Sequence, residues 1–131
     1  MIVLDASAAL AATMSGPEAW PIQDRLLDVT EVHVPEHFHA EALSGLRRLS
    51  MRGDLDELAV RRSLRAITLM RALRHPVLPL WAGIWARRDN LSSCDAAYLA
   101  LAEQLDTSLL TLDRGLAAVA KTEGRLVTVS G

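Results

Sequence analysis

The chain has 131 residues, half of them apolar and 23% charged, with a formal net charge of −2. These values suit one globular domain over residues 1–131 with a substantial core, and exclude a disordered or low-complexity chain. A single cysteine forbids an internal disulfide and no apolar run nears the roughly 20 residues that cross a bilayer, so a cytoplasmic protein without membrane contact is expected.

Ile2-Val3-Leu4 is a short β-prone run that predicts a buried strand, with no basic leader segment before it. Asp5 follows, then an Ala-rich stretch that predicts a helix. Pro17 suits a first helical position, with Trp20, Leu26 and Leu27 as apolar residues of a short second helix. Val32-His33-Val34 predicts a second strand, stopped by Pro35. The spacing then predicts helices over 36–51 and 54–73, the first ended near Gly53. Val77–Leu80 reads as a third strand. Two helices follow, near 81–88 and over 93–105. Ser108–Leu112 reads as a fourth strand, 116–120 as a helix and Leu126–Val129 as a fifth strand. Alternating strands and helices predict an α/β fold with a mostly parallel five-stranded sheet covered by helices on both faces.

Four acids stand where acids are costly. Asp5 and Asp113 each follow a predicted strand, and ligands of open parallel sheets bind beyond the carboxyl ends of strands. Each is equally well placed to cap a helix. Glu41 lies at the edge of an apolar stripe made by Phe38, Ala42, Leu46 and Leu49; the plain alternative is a rim residue that reaches water. Asp95 opens a segment that is apolar nearly all round, and Ser92-Ser93-Cys94-Asp95 also fits a capping box. If the four converge, their repulsion calls for a cation. Oxygen donors without Cys or clustered His favour Mg²⁺ or Mn²⁺ over Zn²⁺. A hydrated ion of that kind suits hydrolysis of a phosphodiester.

The motifs IVLDASAAL, HAEALSGLRR, LSSCDAAYLALAEQL and LLTLDRGLAAVA resemble, in order and over nearly the whole chain, the PIN-domain ribonucleases of the VapC toxin family. The resemblance implies a PIN-like fold and a catalytic, metal-binding set at Asp5, Glu41, Asp95 and Asp113, with Ser7 and Thr111 in support. It also implies a homodimer, a cognate antitoxin and structured RNA, commonly tRNA or rRNA, as substrate. On that reading Asp5 and Asp95 hold one Mg²⁺, while Asp113 and Glu41 position water or a second ion, and cleavage leaves 5′-phosphate and 3′-hydroxyl ends. Ser44 and Gly45 stand where many relatives carry Asn, which weakens a substrate assignment by analogy.

The charge is uneven. Residues 41–90 hold ten Arg against five acids, a balance of +5 that leaves −7 for the rest. Such a basic middle can meet a phosphate backbone, and Arg61, Arg62 and Arg65 on the long helix are candidates for contact with RNA or a partner, against the plainer reading of a solvated face. His37 and Glu41 share a helix face from which His39 points away, and histidines facing solvent or a partner are expected rather than a metal cluster. Cys94 reads as a packing residue, and Trp20, Trp81 and Trp85 as core or dimer packing. A phosphatase with Asp5 as nucleophile would need an Asp where Ser7 stands and a nearby Lys, and the chain has only Lys121. A catalytically silent RNA- or protein-binding module is the non-enzymatic alternative.

Overall fold

The computed structural model describes residues 1–129. Its strands β1 (Ile2–Leu4), β2 (Val32–Pro35), β3 (Leu73–His75) and β4 (Leu109–Leu110) form one parallel sheet in the order β3-β2-β1-β4. The chain moves outward from β1 to β3, then crosses back to place β4 on the other side of β1. The direction of travel therefore reverses between β1 and β4, and a crevice opens there beyond the strand ends.

Helix α1 (Ala6–Ala12) leaves β1 directly, α2 (Trp20–Leu27) and α3 (Phe38–Met51) flank β2, and α4 (Glu57–Leu69) leads to β3. After a 3-10 turn over Leu78–Leu80 come α5 (Trp81–Ala86), α6 (Ser93–Gln104) and α7 (Arg114–Thr122). Helix α6 is buried continuously from Ala96 to Leu101 and Ala102, as its apolar circumference requires, and packs on β1, β2 and β4. Phe38 and Tyr98 are the bulkiest fully buried side chains beside the strands. A smaller apolar cluster of Leu10, Ala42, Leu46 and Ile67 ties α1 to α3 and α4.

Three expectations about strands change. The third strand is Leu73–His75 and not Val77–Leu80, since Pro76 and Pro79 cannot donate to a ladder and Leu78–Leu80 turns as 3-10 helix. The long helix accordingly stops at Leu69, ahead of the strand. Among the described residues the sheet has four strands: Leu126 makes only an isolated bridge to Leu109, although Leu109 bonds both Arg125 O and Val127 N. The fourth strand shortens to two residues because Thr111 leaves the ladder and turns toward Asp5.

Candidate active site

Register places the first acid. Leu4 pairs with Leu110, so Asp5 and Thr111 emerge side by side from neighbouring strands. Asp5 is buried, and it caps α1 by accepting from Ala8 N at 2.9 Å. The Ser7 hydroxyl donates to Asp5 Oδ1 at 2.7 Å and the Thr111 hydroxyl donates to Oδ2 at 2.6 Å. Thr111 Oγ1 in turn accepts from Asp113 N at 3.0 Å, and Ser7 Oγ accepts from Leu112 N at 3.1 Å. The two hydroxyls thus lock the first and last acids to one frame. Burial pushes the Asp5 carboxyl above its ordinary value, against the pull of the Thr111, Ala8 and Ser7 hydrogen bonds, and the charge of Asp113 pushes the same way.

Asp113 caps α7 through Oδ1, which accepts from Leu116 N at 2.8 Å. That bond occupies Oδ1, and among the described residues Oδ2 accepts no hydrogen bond. Asp95 sits in the first turn of α6, with its backbone N–H donating to Ser92 Oγ at 3.2 Å as the capping box requires. Burial raises the Asp95 carboxyl, and the charges of Asp113 and Glu41 raise it further. Capping and convergence are therefore compatible, because a cap occupies one carboxylate oxygen.

Glu41 is half-buried at the cleft edge, with one carboxylate oxygen tied to neighbours. Its Oε1 accepts from the Tyr98 hydroxyl at 2.6 Å and lies 3.1 Å from His37 Nε2, one turn earlier. Burial pushes this carboxyl up, but the hydrogen bonds of His37 and Tyr98 and the charges of His37 and Arg48 outweigh it and hold Glu41 below its ordinary value. His37 rises correspondingly, chiefly through its bond to Glu41.

All four acids line one cleft of about 520 Å³, together with Ser7 and Tyr98. Burial first, and the charge of neighbouring acids second, raises Asp5 and Asp95, so a cation among these carboxylates would be favoured. The donors are all hard oxygens, a set that fits Mg²⁺ or Mn²⁺.

Several residues are not where the sequence placed them. His37 is not solvent-facing: its Nε2 lies 3.0 Å from Cys94 O, and His37, Glu41 and Cys94 bring one donor atom each within 4.8 Å of one another. Cys94 is exposed instead of packed. Trp20, Trp81 and Trp85 are exposed at 60%, 65% and 61%, so none fills the core. Arg61, Arg62 and Arg65 lie exposed on α4 and do not line the cleft; Arg61 pairs with Glu57 at 2.9 Å. Lys121 does not line it either, and Ser7 serves Asp5 as a donor, so the phosphatase arrangement is not formed. Sequence reasoning missed Tyr98, Arg48 and Arg52, which do line the cleft. The i, i+4, i+7 spacing from Glu41 points to Gly45 and Arg48, and could have found one of them.

Residues 2–122 match the PIN domain family. The chain belongs to it. Among curated PIN-domain relatives it is similar to VapC ribonuclease Mb0985 of Mycobacterium bovis, 40% identical over 129 residues and 98% of each chain. It is also similar to ribonuclease VapC3 of Mycobacterium tuberculosis, 37% identical over 116 residues, 88% of this chain and 85% of the other. The fold matches the crystal structure of Mycobacterium tuberculosis VapC20, a Sarcin-Ricin loop cleaving toxin, with a TM-score of 0.67 at 17% identity, covering 91% of this chain and 95% of that one. Among the described residues, no helix of this PIN domain is long and apolar enough to cross a membrane.

Proposed function

We infer that this single PIN domain is the toxin of a cytoplasmic toxin–antitoxin pair, an endoribonuclease of the VapC type that hydrolyses structured RNA with a divalent ion held by Asp5, Glu41, Asp95 and Asp113. The observation that carries the reading is the convergence of all four carboxylates on one cleft at the switch point between β1 and β4. The kinship with VapC ribonucleases supplies the substrate class.

Bound among these acids, Mg²⁺ or Mn²⁺ supplies charge neutralisation and Lewis acidity toward phosphate and water. The chain supplies the positioning. Asp5 Oδ1 accepts from both Ser7 and Ala8, while Oδ2 accepts from Thr111 alone and keeps a lone pair, so Asp5 can act as a ligand through Oδ2 while held rigid. Glu41 and Asp113 are each anchored through one oxygen only, which leaves Glu41 Oε2 and Asp113 Oδ2 free to accept the proton of an attacking water. Tyr98 and His37 keep Glu41 ionised for that task. Water attacking in line gives 5′-phosphate and 3′-hydroxyl ends, with no covalent intermediate.

The partners proposed are a cognate antitoxin that covers the acidic cleft and a second copy of the chain in a homodimer. The exposed Trp20, Trp81 and Trp85 and the arginines of α4 are available to such protein contacts. The reading is tested by incubating purified protein with a structured RNA and Mg²⁺ or Mn²⁺. Cleavage that stops in excess chelator supports it. Cleavage undiminished by chelator contradicts the metal scheme, and binding of RNA without cleavage in either metal would make the protein a silent module.

A further inference from the structure

The acidic cleft has one basic wall. Helix α3 carries Glu41, Gly45 and Arg48, and Arg52 is its C-cap; the four follow at intervals of three or four residues, and all line the cleft. At 1.5 Å per residue, Arg48 lies about 10 Å along the helix from Glu41 and Arg52 about 6 Å further. The two arginines therefore follow Glu41 in order along the same wall of the cleft.

Their placement is specific. Gly45 lies beneath Arg48: a Cβ there would sit 3.7 Å from Arg48 Nη2 and 3.0 Å from Leu10 Cδ2. The missing side chain lets α3 approach α1, where a Cβ would crowd Leu10, while the Arg48 guanidinium rests at ordinary contact distance from the same point. Both arginines are exposed, and among the described residues neither has an ion-pair partner, unlike Arg61, Arg87 and Arg125. Arg48 acts on Glu41 only through its charge.

We infer that Arg48 and Arg52 form a phosphate-binding subsite, which takes the backbone phosphates of the RNA strand flanking the one to be cleaved. This inference rests on the ribonuclease reading. A cleft of four carboxylates repels a polyanion, and even a bound divalent ion leaves the site net negative. Cations on the same wall offset that repulsion and set the direction in which the strand lies. Arginine suits the task, since its planar fork pairs with phosphate oxygens in two places at once. The basic middle of the sequence thus acts on substrate through α3, while Arg61, Arg62 and Arg65 of α4 lie off the cleft.

The experiment compares the parent, R48Q/R52Q, R48K/R52K and R61Q/R62Q/R65Q. Cleavage of a fluorogenic RNA hairpin is followed in Mg²⁺, and binding of the same labelled hairpin by anisotropy, each from 50 to 200 mM salt. R48Q/R52Q should raise KM about tenfold with a much smaller loss in kcat, and should reduce the slope of log affinity against log salt by roughly 1 to 2. R48K/R52K should restore most of the slope, because it keeps the charge, but only part of KM. The α4 triple variant should match the parent in both. Thermal melts show whether each variant is folded. Unchanged KM and slope in folded R48Q/R52Q, or a larger effect from the α4 variant, overturns the subsite and leaves these arginines to a protein partner. A parent that binds but never cleaves contradicts the ribonuclease reading instead, and the salt slopes still decide the subsite.

Discussion

Tyr98 on α6 and Glu41 on α3, 57 positions apart, are joined by a 2.6 Å hydrogen bond at the edge of the cleft. The phenol is pushed well above its ordinary range, first by burial and then by its bond to the carboxylate, so it remains a donor at every working pH. The bond holds Glu41 in one orientation and favours its ionised form.

Tyr98→Phe removes that donor and keeps the ring in the core. Stability should fall by about 1–2 kcal/mol, the usual worth of a hydrogen bond to a charged group in a partly buried place. RNA cleavage should fall roughly tenfold, with the acid limb of its pH profile moved upward as Glu41 becomes easier to protonate. Steady-state kinetics across pH checks both. A profile with an unmoved limb would show that Glu41 does not titrate in the reaction.

The stability of the metal-free protein depends on pH through two carboxyls raised in the same direction. Asp5 and Asp95 lie above their ordinary values, so in the metal-free protein they take up protons earlier on acidification than an exposed Asp does. A raised carboxyl pKa means that the folded chain binds more protons than the unfolded one between the two values. These two groups therefore stabilise below the ordinary value and lose that contribution as pH rises through the folded pKa, which leaves the neutral apo-protein strained by its own charges. Divalent ions should relieve that strain. The rise in melting temperature on adding Mg²⁺ should be largest near neutral pH and should shrink on acidification while ordinary carboxylates are still ionised. Calorimetry at several pH values measures this directly.

How far the sequence reveals the site depends on how local each signal is. Asp5 and Asp113 are legible because a strand end followed by a helix start is written in consecutive residues. Asp95 is legible because its helix is apolar on every side. Tyr98 is not, because its partner lies 57 residues away and a buried tyrosine is equally explained by packing. The arginines show the same limit. Charge counting finds a basic middle but cannot tell the α3 face from the α4 face, which depends on how α3 packs on α1. β3 escapes for another reason: as an edge strand with Leu73 and Arg74 exposed, it lacks the apolar run that marks the inner strands.

Arg87 staples the far side of the domain. Its side chain is only 9% exposed; it donates to Glu123 Oε2 at 2.9 Å, to Glu103 Oε2 at 2.7 Å and to Gly83 O at 2.8 Å. One guanidinium thereby joins the end of α5 to α6 and to the residue that caps α7. Arg87→Ala should cost about 2–3 kcal/mol in urea unfolding. This is less than for a fully buried pair, because Glu103 and part of Glu123 can return to water. RNA cleavage by the folded variant should match the parent, since none of these groups lines the cleft.

Asp5→Asn tests the central claim most directly, by separating capping from metal binding at one residue. Asn caps a helix about as well as Asp, and its amide can meet the Thr111 hydroxyl, which is free to rotate. Without metal the variant should be as stable as the parent or more so, because a buried and repelled charge has gone. The measurement is RNA cleavage in Mg²⁺ alongside the Mg²⁺-induced shift in melting temperature, for parent and variant side by side. The account predicts a loss of cleavage of at least about a hundredfold and a much smaller Mg²⁺ shift in the variant, since an amide oxygen holds Mg²⁺ poorly against water. Parental cleavage with an undiminished Mg²⁺ shift would contradict it.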